Sequence, residues 1–213
     1  MSTSKLQVLL VDDHAVVRGG LRLILDQTGD MEVASEAEDA EQAILMIRQS
    51  EFDVALVDIG LPGKGGLDLL KQIKTERPKL AVLMLSMYAE EIYAVRALKA
   101  GASGYLTKNS PPSTLLAAIR KVASGGKHVS PALLERLAVE VGRGRKSDSE
   151  ALSDREIEVL RRIASGESLN QIAEALYLSP KTVTTYRARI VEKTGLHSNA
   201  ELTRYALEKG MLS

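Results

Sequence analysis

An α/β unit followed by an all-α unit is the architecture that this chain of 213 residues specifies. Three patterns carry the expectation. From Leu6 to Ser124, short apolar runs of buried-strand length alternate with helical stretches, the rhythm of a parallel sheet. At Gly125 and Gly126 the alternation stops. From Ser153 onward only helical periodicity remains, with a serine before each helix and a glycine after three of them.

Taken in order, Leu6 to Val11 is an apolar run closed by Asp12 and Asp13, and the period then becomes helical over about Val16 to Gln27. Glu32 to Ala37 is the second strand, followed by a helix from Asp39 to Gln49. Val54 to Val57 is the third, closed by Asp58 and followed by a helix from Gly66 to Glu76. Ala81 to Leu85 is the fourth, closed by Ser86 and followed by a helix from Ile92 to Ala100. Gly104 to Leu106 is the fifth, followed by Lys108 and a helix from Pro112 to Ala123. Five strands and five helices in alternation give a five-stranded doubly wound parallel sheet, because crossovers are right-handed and helices cover both faces.

Beyond Ser124, Pro131 to Val141 reads as one amphipathic helix and Gly142 to Ser149 as a polar linker. Four helices follow at Asp154 to Ser165, Leu169 to Tyr177, Pro180 to Lys193 and Asn199 to Lys209, with Ser153, Ser168, Ser179 and Ser198 at the capping positions. The expected organisation is therefore one unit over 1–125, a helix-containing linker over 126–149 and a second unit over 150–213.

Composition narrows the chemistry. Without cysteine, the chain builds no disulfide scaffold, cysteine-rich zinc site, iron–sulfur cluster or thiol nucleophile. Met1 to Gln7 lacks the pattern of a secretory signal, and apolar stretches such as Leu80 to Leu85 fall far short of the ~20 residues that span a bilayer. A cytoplasmic protein with no membrane partner is expected. Net charge is zero, but up to Gly126 the chain holds 14 basic and 16 acidic residues, and beyond it 14 and 12. Within Ser179 to Lys193, Lys181, Arg187, Arg189 and Lys193 face Glu192 alone, and local charge is what matters for binding phosphates.

Ligands of parallel α/β sheets bind outside the carboxyl ends of the strands. Here Asp12, Asp13, Asp58, Ser86 and Lys108 gather at those ends. Three carboxylates within reach of one another repel, and an all-oxygen set with waters favours Mg²⁺ as counter-charge. A strand-end aspartate can merely cap the next helix; the combination of five is far more specific than any member. His14 lies just past the acidic pair and lacks a partner histidine, so it reads as neither a metal ligand nor a relay group. Met84 and Met87 read as core filler.

The runs Val11-Asp12-Asp13-His14, Asp58 through Gly66, Leu85-Ser86 and Gly101 through Lys108 resemble the CheY-like receiver domain of two-component response regulators. The resemblance implies that Asp58 is the phosphoacceptor, with a sensor histidine kinase as donor. It further implies that Asp12, Asp13, one Asp58 oxygen and the Gly60 backbone carbonyl bind Mg²⁺, and that Ser86, Tyr105 and Lys108 form the switch. The sequence departs from many relatives at Gly65, a helix-cap position that glycine fills at a cost of only a few tenths of a kcal/mol, and at Asn109, where proline is common.

In the second unit, Ser168 to Leu176 and Leu178 to Val183 make a helix, a short turn and a second helix, the helix-turn-helix arrangement that places its second helix in the major groove. Ile172, Ala173, Leu176, Leu178, Val183, Ile190 and Val191 can share one core; Lys181, Thr184, Thr185, Ala188 and Arg189 lie opposite. Such helix pairs also serve as protein-docking modules. The segments Leu152 to Glu156, Ile163 to Gly166, Ile172-Ala173 and Leu178 to Val183 resemble the LuxR-type domain of NarL/FixJ regulators. The run from Thr184 to Arg189 is similar to the subgroup that includes EvgA and UvrY.

That resemblance implies base-edge contacts from Thr184, Thr185 and Ala188, longer reach from Arg187 or Arg189, and phosphate contacts from Ser179, Lys181 and Lys193. It also implies a homodimer on promoter half-sites of double-stranded DNA through the last helix, with RNA polymerase as a further partner. The expected function is phosphorylation-dependent regulation of transcription rather than enzymatic turnover. The alternatives are a phosphorylation-independent or protein-binding regulator and, more weakly, an α/β hydrolase or phosphatase, for which the C-terminal helices supply no acid or base.

Overall fold

The computed structural model describes residues 5–87, 90–131, 133–135 and 152–212. The chain divides into two compact units, Met1–Ser130 and Pro131–Ser213.

The first unit is a five-stranded sheet of order β2-β1-β3-β4-β5, with β1 Leu6–Val11, β2 Met31–Ala37, β3 Val54–Asp58, β4 Ala81–Ser86 and β5 Gly104–Thr107. The strands pair in parallel throughout the order given. Helices α1 Ala15–Asp26, α2 Ala40–Gln49, α3 Gly66–Glu76 and α4 Glu90–Lys99 make the crossovers, and α5 Pro112–Ala123 follows β5. All residues of β3 and β4 are buried, as expected for central strands covered on both faces. Alternation divides them: Val8, Leu10, Val54, Leu56, Leu83 and Leu85 join Leu25 of α1 and Leu115, Ala118, Ile119 and Val122 of α5 in one core.

Met84 is fully buried, but Met87, expected in the core, is 51% exposed, because β4 ends at Ser86 and the chain has already left the sheet. The sheet has a further edge contact. Past α5, the His128 amide donates to the Ser103 carbonyl at 2.9 Å and the His128 carbonyl receives the Tyr105 amide at 3.4 Å, a bridge beside Gly104. Residues read from the sequence as the start of the linker are thus tied to β5. The chain is helical again at 131 and 133–135; the rest of the helix expected over Pro131 to Val141, and the linker to Ser149, lie outside the described residues.

The second unit contains α6 Asp154–Ala164, α7 Leu169–Ala175, α8 Pro180–Thr194 and α9 Asn199–Glu208. Ser153, Ser168, Ser179 and Ser198 each cap a helix, accepting from the amides of Glu156, Gln171, Thr182 and Glu201. Three of them are reciprocal capping boxes, which satisfy two orphan amides each. Leu160, Ile172, Leu176, Val183, Ile190, Leu202 and Ala206 form the buried centre; Leu178 and Val191 are only half-buried. No described helix is long and apolar enough to cross a membrane.

Candidate functional site

Parallel register brings the strand ends to one edge. Val11 lies beside Val57, Asp58 beside Leu85 and Ser86 beside Thr107, so residues at or just past the carboxyl ends of β1, β3, β4 and β5 converge. Asp12 and Asp58 are 2% and 4% exposed, Ser86 is fully buried and Asp13 faces solvent.

The Lys108 ammonium stands 2.6 Å from Asp12 Oδ2 and 2.9 Å from Asp58 Oδ2. Its root is fixed by the Lys108 amide, which donates to the Ser86 carbonyl at 2.7 Å. Burial pushes the Asp58 carboxyl above the usual carboxylate range; Lys108 pulls against that rise, while Asp12 adds to it. For Lys108, burial acts to lower the ammonium, and the attraction of Asp58 and Asp12 outweighs it, leaving a net rise. Asp12 Oδ2 is a buried oxygen that meets the Lys108 ammonium as an ion pair.

Asp12, Asp13, Asp58 and His14 each offer a ligand atom, all within 4.8 Å of one another. The His14 amide donates to Asp12 Oδ1 at 2.9 Å, and its Nδ1 lies 2.8 Å from Asp13 Oδ1. His14 therefore stands against the acidic pair, closer to the site than the sequence argument placed it. Tyr105 is fully buried in β5, beside Met84 of β4.

Two contributors were not singled out from the sequence. Arg18, 8% exposed, donates to the Asp12 carbonyl at 2.6 Å, to Glu36 at 3.2 Å and to Glu38 at 2.6 Å, clamping the end of β1 to the end of β2. Its signal was available: Arg18 precedes buried Leu25 by two helical turns and so shares its inward face. Gly66 is the other. A β-carbon there would collide with the Asp58 main chain, which a doubled glycine alone does not reveal.

In the second unit, Lys181, Thr184, Thr185, Ala188 and Arg189 form one exposed face of α8, with Ser179 exposed at its start. The Thr184 and Thr185 hydroxyls donate to the Pro180 and Lys181 carbonyls at 2.9 and 3.0 Å, so the pair offers a partner acceptor lone pairs and methyls rather than donors. Arg187 leans toward the start of α9, with Nη2 3.3 Å from Asn199 Oδ1 and 3.4 Å from the His197 carbonyl. Lys193 donates to buried Glu156 at 2.7 Å and so acts as a strut between α8 and α6.

Comparison with known proteins agrees with both units. The family model described as "Response regulator receiver domain" matches residues 8–120, and that described as "Bacterial regulatory proteins, luxR family" matches 150–206. Response regulator UvrY of Escherichia coli K12 is 36% identical over 208 residues, which cover 97% of this chain and 95% of that protein. Response regulator GacA of Pseudomonas aeruginosa is 35% identical, with 97% and 98% covered. Among solved structures, RcsB of Salmonella typhimurium superposes with a TM-score of 0.74 at 27% identity, covering 97% of this chain and 99% of that one. RcsB of Salmonella enterica serovar Typhimurium, bound to promoter rprA in the presence of phosphomimetic BeF3-, gives 0.65 at 28% identity, with 95% and 98% covered.

Proposed function

Because this chain belongs to the NarL/FixJ family of two-component response regulators, with a receiver domain and a LuxR-type DNA-binding domain, we propose that Asp58 accepts a phosphoryl group and that the acyl phosphate controls its dimerisation and DNA affinity. The observation that carries the reading is the Lys108 ammonium between Asp12 and Asp58 in a buried acidic site.

An Asp58 oxygen attacks the phosphorus of a phosphohistidine on a sensor histidine kinase. A phosphorus–oxygen bond forms, the phosphorus–nitrogen bond breaks, and the imidazole leaves with the electron pair. Catalysis is positioning and charge neutralisation. The clustered carboxylates and the poorly satisfied Asp12 Oδ2 fit a hard cation. Asp12, Asp13, Asp58 and the Gly60 carbonyl would hold Mg²⁺, which would offset charge on the transferring group. Lys108 then pairs with a phosphoryl oxygen and Ser86 hydrogen-bonds another, drawing its loop inward while Tyr105 turns toward the space vacated. The chain is thus a phosphoryl acceptor that slowly loses the group, not an enzyme acting on an external substrate.

In the DNA-binding domain, α8 enters the major groove with Thr184, Thr185 and Ala188 at base edges and with Arg187 and Arg189 as the longer arms. Ser179, Lys181 and Lys193 meet phosphates; for Lys193 this requires release from Glu156. Exposed Leu207 on α9 supports a homodimer contact that joins two promoter half-sites at high effective concentration. A cytoplasmic location and RNA polymerase as a further partner complete the reading.

The test is size-exclusion chromatography with light scattering on wild type and Asp58→Ala, with Mg²⁺ and with or without a small phosphodonor, followed by binding to genomic fragments. Wild type alone should shift toward dimer and gain affinity. Equal behaviour of the two proteins would transfer the reading to a phosphorylation-independent regulator.

A further inference from the structure

The receiver unit carries a second concave site at the opposite end of its sheet. β4 begins at Ala81 and ends at Ser86; Ser86 belongs to the acidic site, whereas Ala81 lines a cavity of ≈ 370 Å³. Gly101, Ser103 and Gly125 line it too, and three lysines face it: Lys74 from α3, Lys79 from the loop before β4, and Lys127 from beyond α5. Among the described residues, no acidic side chain lines it.

The lysines are partly engaged. Lys74 Nζ donates to the Leu80 carbonyl at 2.6 Å and to the Pro78 carbonyl at 3.5 Å, and Lys127 Nζ to the Ala102 carbonyl at 2.7 Å. Such contacts to loop carbonyls explain why cations are tolerated there. They do not use all the donors, since each ammonium has three. Nor do they remove the repulsion: burial first and the Lys127 charge second hold Lys74 below the ordinary lysine range. The stem of Lys74 is held close, since a β-carbon on Gly101, whose φ is +100°, would lie 3.1 Å from Lys74 Cγ.

We propose that this cavity binds a small phosphate-bearing anion, gripped between Lys74 and Lys127 with Lys79 at the rim. Two like charges in a concave, partly desolvated setting without a carboxylate call for a divalent counter-anion. The backbone at Gly125, where a β-carbon would meet nothing within 4 Å, leaves room for it. Lys127 directly precedes His128, whose amide and carbonyl hold the edge of β5 at Ser103 and Tyr105. An anion on Lys127 therefore stiffens the segment by which the chain leaves the sheet, beside the switch tyrosine. The site is separate from Asp58 and stands whether or not Asp58 is phosphorylated.

The experiment is an amide-shift titration of the ¹⁵N-labelled full chain in chelator, first with inorganic phosphate and then with pyrophosphate, against chloride at matched ionic strength. Saturable shifts are expected at Gly101, Ser103 and Gly125, with pyrophosphate binding the tighter of the two. Lys127 is exposed, so Lys127→Gln leaves the core intact and should weaken binding about tenfold, the loss of one charge-assisted contact. Lys74→Gln together with Lys127→Gln should abolish it. Shifts that fail to saturate, that chloride reproduces, that fall on α8 instead, or that saturate at the same anion concentration in Lys127→Gln as in wild type would overturn the proposal.

Discussion

The β-carbon that Gly66 lacks would stand 1.9 Å from the carbonyl oxygen of Asp58. The loop that leaves β3 returns so closely that the first residue of α3 rests on the backbone of the proposed phosphoacceptor, and the Gly66 amide closes it by donating to the Ile59 carbonyl at 3.1 Å. Gly66→Ala should therefore displace Asp58. A loss of about 1–3 kcal/mol is expected from overpacking, with slower phosphoryl uptake from a small donor. Gly65→Ser is the control: Gly65 has an ordinary φ of −61° at the cap position, and a serine there should gain a few tenths of a kcal/mol. Equal urea midpoints for Gly66→Ala and wild type would show that the contact is not rigid.

Lys108 holds two buried carboxylates apart from their own repulsion. Lys108→Met leaves Asp12 and Asp58 facing each other without a cation, and breaking a buried pair from one side costs about 3–5 kcal/mol. Urea titration in chelator should show that loss at neutral pH. Lowering the pH should return part of it, because protonating either carboxyl removes the repulsion, and Mg²⁺ should return it as well. A variant as stable as wild type in chelator would mean that the acidic site tolerates both charges unaided.

Most of the fold and the acidic site were legible because their signals are local. Asp12, Asp58 and Ser86 close apolar runs whose length and alternation fix the strands, and parallel register then brings the strand ends together. The four capping serines were legible for the same reason: each acts on an amide three residues away. What escaped depends on distance in sequence. Glu156 and Lys193 are 37 residues apart, and nothing near either of them announces the pair. The His128 bridge to β5 escaped because a single residue pairing on an edge has no periodicity. Met87 was misread because an apolar residue one position past the strand end looks like core, whereas β4 stops at Ser86 and leaves Met87 exposed.

Arg18 supplies a test of how the end of β1 is held. Arg18→Met keeps the stem and removes donors to the Asp12 carbonyl, Glu36 and Glu38. Leaving Glu36 with Arg22 alone and the Asp12 carbonyl unpaired should cost about 2–4 kcal/mol. Mg²⁺ affinity, read by protection against thermal unfolding, should fall as well. Arg18→Lys should restore part of the stability but not the three-way clamp, since an ammonium lacks the planar fork.

Tyr177, in the turn between α7 and α8, has a φ of +52° and is 78% exposed. A non-glycine residue pays about 1–2 kcal/mol for that conformation, and an exposed ring recovers little of it. Tyr177→Gly and Tyr177→Asn should therefore raise the midpoint of the DNA-binding domain by the equivalent of about 0.5–1 kcal/mol. A fall in stability would show that the ring makes a contact worth more than the strain.

The pair formed by Lys193 and Glu156 gives the second unit a pH dependence of known sign. Burial acts to raise the Glu156 carboxyl, but Lys193 and the Ser153 amide and hydroxyl outweigh it, so the group lies below its ordinary value of 4.5. A depressed carboxyl contributes stability that is fully present above the unfolded value and is lost as the pH falls through the folded one. Unfolding of the second unit should thus become easier below about pH 4.5, and Glu156→Gln should flatten that part of the profile. At neutral pH the same substitution should cost about 1–3 kcal/mol, because it removes the charge that anchors Lys193 and caps α6. Release of Lys193 from the Glu156 charge makes the functional side of the test opposite in sign. If α8 lies in the major groove as proposed, Glu156→Gln should tighten nonspecific DNA binding and steepen its salt dependence by about one phosphate contact. An unchanged salt slope would mean that Lys193 remains a strut on DNA and that the phosphate contacts come from Ser179, Lys181 and the arginines alone.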